Sequence, residues 1–266
     1  MSPHTDIISE TVREPGPWRL LAGRMLGHKG VVIGGAILIL VILAALFAPL
    51  LAQHGPFQQS LADRLQPPFW MRGGSADYIL GTDHLGRDYF SRLLYGARVS
   101  LLIGFTTALI SGTIGTFLGI IAGYFGGRTD SVVMFLVTIK LSIPTILVAL
   151  AIVQLVGGSL QTVILVLGFL LWHQFAVVTR ATTMQIRGMD FITAAETVGC
   201  STPRILATEV LPNVLNQVIV VLTLTMASAI LIEAALSFLG VGVQPPTPSW
   251  GTDTSGKQTN SPPVGA

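Results

Sequence analysis

The sequence predicts an all-α, polytopic membrane protein of about five transmembrane helices, and three observations support this. Of 266 residues, 51% are hydrophobic and only 11% are charged, whereas an average soluble domain is about a quarter charged. Apolar residues occur in runs of roughly 20, the length that crosses about 30 Å of hydrocarbon. The ten-residue alternation typical of membrane β-strands is not visible, so helices are preferred over a barrel.

Five segments have the length and composition of membrane spans. The first is too long for a signal-peptide core, so we interpret it as a retained helix. The third contains Lys140 and Pro144, and the fifth contains Glu233. The predicted spans are residues 31–51, 99–124, 131–155, 160–178 and 214–239. Small residues recur in the second span and predict close helix contacts there: Gly104, Ser111, Gly112, Gly115, Gly119 and Gly123.

Charge predicts the topology and excludes several functions. Basic residues beside the first helix favour a cytoplasmic N-terminus. The resulting divisions are a cytoplasmic segment at 1–30, the first helix at 31–51, an extracytoplasmic segment at 52–98, a transmembrane core at 99–239 with a cytoplasmic segment at 181–213, and a polar tail at 240–266. A net charge of +2 offers no polybasic field for nucleic acid. The single cysteine, Cys200, excludes an internal disulfide, and we expect no metal site.

Residues 190–213, which we call the elbow, are too polar to span the membrane and too regular to be a loose connection. The pattern predicts two short helices joined by a turn. Asp190 is the expected N-cap of the first helix, Gly199 its left-handed end, and Thr202 the cap of the second. Pro212 fits the opening turn of the next span. A rigid lever tied into two spans could convert a partner's closure into helix tilting; a connector resting on the bilayer surface is the alternative.

The elbow resembles a signature of membrane subunits of ATP-binding-cassette importers. That signature is Glu-Ala-Ala, three residues, Gly, nine residues, an apolar residue, one more, and Leu-Pro. The spacing is intact here, but Thr193 replaces the usual glutamate and Glu209 occupies the usual apolar position. Glu196, three residues further on, is a candidate substitute. The resemblance implies docking in a cleft of a partner ATPase through Thr193, Ala194, Ala195, Glu196, Gly199, Arg204, Leu211 and Pro212.

Two other strings narrow the resemblance. LGTDHLGRDYFSRLLYGARVSL at 80–101 and EAALSFLGVGVQPPTPSWG at 233–251 are similar to the second, C-type permease subunit of dipeptide, oligopeptide and nickel importers. The similarity covers roughly residues 26–251. It implies a MetI-like permease fold, a plasma-membrane location and a cargo of short peptides. The implied extracytoplasmic motif is Gly81, Thr82, Asp83, Gly86, Arg87, Asp88 and Arg92.

The resemblance also implies a set of partners. These are a homologous sister permease forming a heterodimer, two ATP-binding subunits and an extracytoplasmic substrate-binding protein, in addition to the lipid bilayer. No cofactor is expected on this chain, because ATP and magnesium belong to the partner ATPase subunits. The family usually continues past the Trp-Gly near residue 251 into another apolar span, whereas residues 252–266 predict none.

Several polar residues lie within or beside the predicted spans. A charge at the centre of a membrane costs about 2.5 to 3.5 kcal/mol, so Glu233, together with Ser237, is a candidate for the translocation path. Lys140 is interpreted as a snorkelling ammonium near a helix that Pro144 interrupts. His173 is interpreted as a packing residue. On a helix, Asp88 and Arg92 would form a surface pair of about 0.2 to 0.5 kcal/mol.

Two enzymatic functions lack the motifs that they require. An intramembrane hydrolase using Ser237 with His173 is rejected because nothing fixes their proximity and no nucleophile turn surrounds the serine. Nucleotide hydrolysis by the tail GTDTSGKQ is rejected because Gln258 stands where Ser or Thr should hold magnesium. We therefore expect a non-enzymatic permease subunit. A nickel or other small-solute importer, and a channel that needs no ATPase, remain the alternatives.

Overall fold

A computed structural model describes residues 27–244 and 246–255, with the side chains of 253–255 excepted. Regular structure in this part is helical, which confirms the predicted all-α class. The helices are α1 (Lys29–Leu46), α2 (Ala48–Leu51), α3 (Tyr89–Phe125), α4 (Gly127–Ser142), α5 (Thr145–Val156), α6 (Leu160–Leu170), α7 (Trp172–Arg187), α8 (Asp190–Thr197), α9 (Thr202–Ile205), α10 (Leu211–Phe238) and α11 (Trp250–Ser255). A 3-10 turn covers Leu61–Asp63 and a π-helical turn covers Leu206–Val210.

The chain divides into two compact units, residues 1–43 and 44–266. In the first unit, the described residues form most of α1, an apolar helix whose side chains are largely exposed. The second unit contains α2 to α11.

Four helical stretches of the described residues are long and apolar enough to cross a membrane: Lys29–Leu46, Tyr89–Phe125, Leu160–Arg187 and Thr202–Phe238. A fifth crossing results if α4 and α5 form one broken span. Each predicted span therefore has a helical counterpart. Two of these helices begin earlier than expected, at Tyr89 and at Thr202, because helical structure continues into segments too polar for a hydropathy window to include.

The break between α4 and α5 lies where Pro144 predicted it. The two helices bend by 82°, and Ile143 is extended at the end of α4. Proline disfavours helical geometry in the preceding residue and has no N–H for the helix ladder. The ammonium of Lys140 donates to the hydroxyl of Thr145 across the break, at 2.9 Å. Lys140 is thus tied within the fold, and its snorkelling stays a prediction.

Helix α3 is the centre of the second unit, and its glycines allow α7 to approach closely. A Cβ atom at Gly115 would lie 2.1 Å from the carbonyl oxygen of Trp172, and one at Gly119 would lie 2.6 Å from that of Ala176. A Cβ at Gly123 would meet the carbonyl oxygen of Arg180 at 2.6 Å. The small-residue contact predicted for this span is confirmed at these three positions.

Candidate functional site

The elbow is anchored by one apolar face. Ile192 of α8 and Ile205 of α9 are almost completely buried against the ends of the longer helices. Their cluster also contains Ile120, Tyr124, Ile186, Val210 and Val214. The opposite face of the elbow is exposed, and Val198 reaches 84% relative exposure. The elbow therefore has a fixed inner face and an open outer face.

The caps of the elbow helices differ from the prediction. Met189, not Asp190, is the N-cap of α8, and Asp190 begins the helix. Ser201, not Thr202, is the N-cap of α9, and it makes no side-chain capping hydrogen bond. A cap contributes only about 1 kcal/mol, so the burial of the two isoleucines can fix the helix starts instead. Gly199 does follow α8 with a φ of 86°, as predicted.

The second half of the elbow is continuous with α10, which corrects the prediction of a separate short helix. The π-helical turn Leu206–Val210 joins α9 to α10, and the amide of Leu211 donates to the carbonyl of Leu206. Pro212 lies in the first turn of α10. A proline ring clashes with the carbonyl four residues earlier in a regular α-helix. The wider π-helical turn accommodates Pro212, so that Thr202–Phe238 stays one continuous helical stretch, which we call the rod.

Glu196 faces back toward the bundle. Its carboxylate accepts a hydrogen bond of 2.9 Å from the hydroxyl of Tyr124, in the last turn of α3. The guanidinium of Arg187 lies 5.5 Å from the centre of the Tyr124 ring, within cation–π range. The residue considered as a substitute for the missing glutamate thus ties α8 to α3 in this structure. Sequence reasoning missed this tie because its partners are far apart along the chain.

An ion pair between α4 and α7 was also missed. The guanidinium of Arg180 donates through two nitrogens to the carboxylate of Asp130, and its Nη2–Oδ2 distance is 2.6 Å. Forked pairs of this kind fix both position and angle. The sequence signal for this pair was weak: Asp130 and Arg180 each lie near the end of a predicted span. The pair clamps the start of α4 to α7.

The predicted motif at residues 81–92 folds compactly. Residues 81–88 precede α3, and residues 89–92 form its first turn. The carboxylate of Asp83 accepts bonds from the amide of Leu85 at 2.8 Å, from the amide of Arg87 at 3.0 Å and from its guanidinium at 2.6 Å. Thr82 accepts from the amide of Gln66 at 2.9 Å. Burial alone would raise the pKa of Asp83, but the hydrogen bonds and charge of Arg87 hold that pKa below its ordinary value.

Glycine is required at two points of this motif. Gly81 and Gly86 have φ values of 80° and 71°, in the region that L side chains rarely adopt. A Cβ at Gly86 would also lie 1.7 Å from the carbonyl oxygen of Ser60. The two glycines therefore fold this segment tightly onto itself.

The surface location predicted for Asp88 and Arg92 is wrong. The two residues are buried, at 3% and 5% relative exposure. Asp88 is the N-cap of α3, and its carboxylate accepts from the amides of Phe90 and Ser91. Arg92 donates to the carbonyl of Pro56, at 3.4 Å. Spacing of four residues could not reveal that the preceding segment folds over the helix start.

The path candidates Glu233 and Ser237 lie near the far end of α10 and are buried. One carboxylate oxygen of Glu233 accepts from the hydroxyl of Ser237 at 2.7 Å and from that of Ser249 at 2.9 Å. Their assignment to a translocation path stays a prediction. His173 is also buried, with Nδ1 3.2 Å from the carbonyl oxygen of Leu170. Among the described residues, no cluster of three His, Cys, Asp or Glu side chains could hold a metal ion.

The candidate spans, the broken helix and the elbow define a multi-pass membrane protein with one exposed face on the elbow, and comparison with known proteins identifies its family. Residues 115–265 match the binding-protein-dependent transport system inner membrane component family, and residues 16–68 match the N-terminal TM domain of oligopeptide transport permease C. The chain belongs to this family of ABC importer permeases, as the sequence predicted. It is a multi-pass component of a transporter in the plasma membrane.

Curated relatives cover most of the chain. It is 41% identical over 238 residues to the di/tripeptide transport system permease protein DppC of Pseudomonas aeruginosa, covering 90% of this chain and 78% of the relative. It is 37% identical to the dipeptide transport system permease protein DppC of Haemophilus influenzae, covering 85% and 76%. The oligopeptide transport system permease protein OppC of Bacillus subtilis is 34% identical, covering 90% and 76%.

A solved structure has the same fold. It belongs to the MetNI methionine ABC transporter in inward-facing conformations. The likeness has a TM-score of 0.51 at 20% identity and covers 57% of this chain and 76% of that chain. At this identity the likeness shows the fold alone, which confirms the predicted MetI-like architecture.

Proposed function

We propose that this chain is the C-type permease subunit of an importer that moves short peptides across the plasma membrane, driven by separate ATPase subunits. The observation that carries the proposal is the elbow: a lever with a fixed apolar face, an exposed outer face and a continuous connection to a membrane span. The relatives' names, which specify dipeptide, tripeptide and oligopeptide transport, favour peptides over nickel.

The complete importer requires partners. In the proposed assembly, this chain pairs with a homologous permease, two ATPase subunits hold ATP and magnesium, and an extracytoplasmic protein delivers the peptide. The N-terminus and the elbow lie in the cytoplasm, and the compact motif at residues 81–92 lies outside. The elbow and that motif belong to opposite ends of the bundle in this topology, as coupling across a membrane requires.

The exposed elbow residues have distinct roles in the proposed docking. Thr193 and Ala194 present small exposed side chains that let the ATPase surface approach, Ala195 packs against the inner apolar cluster and helps to hold α8 in place, and Gly199 supplies the turn. Arg204 is exposed and offers a positive charge. Leu211 and Pro212 connect the docking face to the spanning part of α10. Glu196 acts from within by holding α8 to α3.

Movement of the elbow reaches two helices. Closure of the ATPase pair displaces α8, which pulls on α3 through the hydrogen bond between Glu196 and Tyr124. It also displaces α9, which is continuous with α10. Because packed helices shift between discrete arrangements more readily than they deform, this movement tilts the two helices and opens or closes the path between the permeases.

Reconstitution in vesicles tests the proposal. The four membrane and ATPase subunits are assembled, the binding protein is loaded with a dipeptide, and both ATP hydrolysis and peptide uptake are measured. We expect the loaded binding protein to stimulate hydrolysis and uptake to depend on ATP. Uptake without ATPase subunits would identify a channel, and uptake of nickel but not peptide would identify a metal importer; either result overturns the proposal.

A substitution on the exposed face of the elbow tests the proposed docking role separately. Replacing exposed Ala194 by aspartate should abolish stimulation, because a charge would be buried without a partner in the docking cleft. Thr129→Asp places the same charge at an exposed position in the first turn of α4, where a helix N-terminus tolerates a carboxylate, and controls for the added charge itself. If Ala194→Asp assembles and retains full stimulation, the elbow does not dock an ATPase.

A further inference from the structure

Helix α10 connects the elbow to the opposite end of the bundle without interruption. The stretch Thr202–Phe238 has 37 residues and is about 55 Å long at 1.5 Å per residue. This exceeds the roughly 30 Å of a hydrocarbon core. The elbow therefore occupies one end of the rod, and Glu233 lies near the other. A rigid-body movement of the second half of the elbow, from residue 202 onward, therefore also moves Glu233.

Glu233 holds the outer loop, which we define as residues 239–244 and 246–251, including the first residues of α11. The residue has 0% relative exposure, and the same carboxylate oxygen accepts from Ser237 on its own helix and from Ser249 in the loop. Its other oxygen, Oε2, is buried and has no hydrogen-bond partner within the described part of the chain. Burying a carboxylate is costly unless it is hydrogen-bonded, so the bond to Ser249 is a strong constraint on where the loop lies.

The same loop is bonded to other outer elements. The backbone amide of Trp250 donates to the hydroxyl of Ser100 at 3.4 Å, and its indole N–H donates to the carbonyl of Leu93 at 3.2 Å. Both partners belong to α3. The amide of Gln244 donates to the carbonyl of Gly158, in the turn between α5 and α6, at 3.1 Å. One loop thus joins α10, α3 and the α5–α6 turn.

Close backbone packing restricts movement between the outer loop and the end of α10. A Cβ at Gly242 would lie 2.6 Å from the Cα of Ser237, and a Cβ at Gly251 would lie 2.8 Å from the Cα of Ala234. The loop therefore contacts α10 directly on both sides of Ser249. A shift of the helix end cannot occur without moving the loop or breaking these contacts.

We propose that Glu233 is a positioning residue for transport: through Ser249 it fastens the outer loop to the rod that begins at the elbow, so that elbow movement is delivered to the outer face. The inference rests on the proposed coupling function of the elbow. It assigns Glu233 and Ser249 to the joint between α10 and the loop, in place of direct contact with the transported peptide.

Ser249→Ala tests the proposal because it removes one hydroxyl from the joint. In the reconstituted importer we expect normal assembly and unchanged basal ATP hydrolysis, with about tenfold weaker stimulation by the loaded binding protein, the size expected for loss of a hydrogen bond to a charged group. Ser228→Ala is the matched control. Ser228 lies on α10 between the elbow and Glu233, and its hydroxyl donates to the carbonyl of Leu224 at 2.9 Å, so stimulation should remain at the wild-type level.

A conservative variant separates hydrogen bonding from charge. Glu233→Gln retains an oxygen that accepts from Ser249, so it should keep more than half of the stimulation, whereas Glu233→Leu should lose it as Ser249→Ala does. If Gln fails as completely as Leu while both complexes assemble, the carboxylate acts by its charge and the proposal is wrong.

A measurement of loop movement distinguishes a role of Ser249 in coupling from a merely structural role. Thr247→Cys is introduced with Cys200→Ser, and labelling by a membrane-impermeant maleimide is followed with and without ATP. We expect nucleotide-dependent labelling that Ser249→Ala abolishes. Unchanged nucleotide dependence in Ser249→Ala, or loss of assembly and basal hydrolysis together with stimulation, would overturn the proposal. Absence of stimulation in the wild type would instead refute the coupling function on which it rests.

Discussion

The two ends of the α10 rod are built in different ways. At the elbow end, apolar side chains fix the inner face and leave the outer face exposed, as Val198 shows. At the loop end, buried hydroxyls bond to Glu233, and glycines bring the loop backbone against the helix. One end is therefore open to another molecule, whereas the other is closed by the chain's own loop.

This difference separates two kinds of mechanical connection. A surface that engages and releases a partner must be held rigidly from behind while its front stays accessible. A joint within one chain can instead be permanent, so its polar groups can be buried and paired. Substitutions on the exposed elbow face should therefore impair coupling more than stability. At the loop end, substitutions that disrupt the buried packing should impair stability first, whereas removal of the single Ser249 hydroxyl should leave assembly intact and impair coupling.

A matched pair of valines tests this contrast with the largest expected effect. Val243→Asp places a charge at a buried position of the loop, and we expect a loss of about 3 to 5 kcal/mol of stability, as for other uncompensated buried charges. Val198→Asp adds the same charge to the exposed elbow surface and should change stability by less than about 0.5 kcal/mol, while ATP-driven uptake falls by more than tenfold. Thermal unfolding in detergent and vesicle uptake provide the two measurements. Equal stability losses would contradict the comparison.

A pair of glycines gives a smaller difference. Gly242→Ala introduces a Cβ 2.6 Å from the backbone of Ser237 and should cost about 3 kcal/mol as an overpacked contact. Gly199 has positive φ but open space around it, so Gly199→Ala should cost only about 1 kcal/mol of backbone strain. Denaturation of the two variants side by side checks the order, and a reversed order would show that the loop is loosely packed.

The tie between the elbow and α3 should have a moderate effect. Tyr124→Phe removes the hydroxyl that donates to Glu196 and should cost about 0.5 to 1.5 kcal/mol. We also expect fewer peptides transported per ATP hydrolysed, because α8 can then move without α3. Tyr95→Phe, elsewhere on the same helix, is the control. A stability loss with an unchanged transport ratio would limit the hydrogen bond to a structural role.

The smallest effect concerns pH at the motif before α3. The pKa of Asp83 is lower in the folded protein than its ordinary value of about 3.9. Its stabilising contribution is therefore complete above that unfolded value and is lost as pH falls through the folded value. Asp83→Asn should be less stable than the wild type at pH 6, and the difference should shrink below about pH 4. A difference that stays constant down to pH 3 would contradict this role of Asp83.

The sequence predicted features that are local or periodic. Long apolar runs located the spans, Pro144 located the break, and Gly199 located the turn of the elbow, because each depends on neighbouring residues alone. The start of α3 at Tyr89 and the burial of Asp88 and Arg92 could not be predicted in this way. They depend on a preceding segment that folds over the helix.

The missed connections share one property. Glu196 with Tyr124, Asp130 with Arg180, and Glu233 with Ser249 are each brought together by helix packing. Hydropathy windows and capping rules contain no information about such pairs. The elbow spacing indicated a docking lever, but only the packed structure shows that its second half is continuous with α10.

Accessibility and cross-linking of one elbow position test the central claim most directly. Val198→Cys is combined with Cys200→Ser, so that the new thiol is the only one in the chain. We expect a membrane-impermeant maleimide to label it in inverted vesicles but not in intact cells, and a short bifunctional reagent to cross-link it to an ATPase subunit. Labelling from the cell exterior, or full accessibility in the assembled complex with no cross-link, would contradict the claim that the elbow is the docking site of an ATPase.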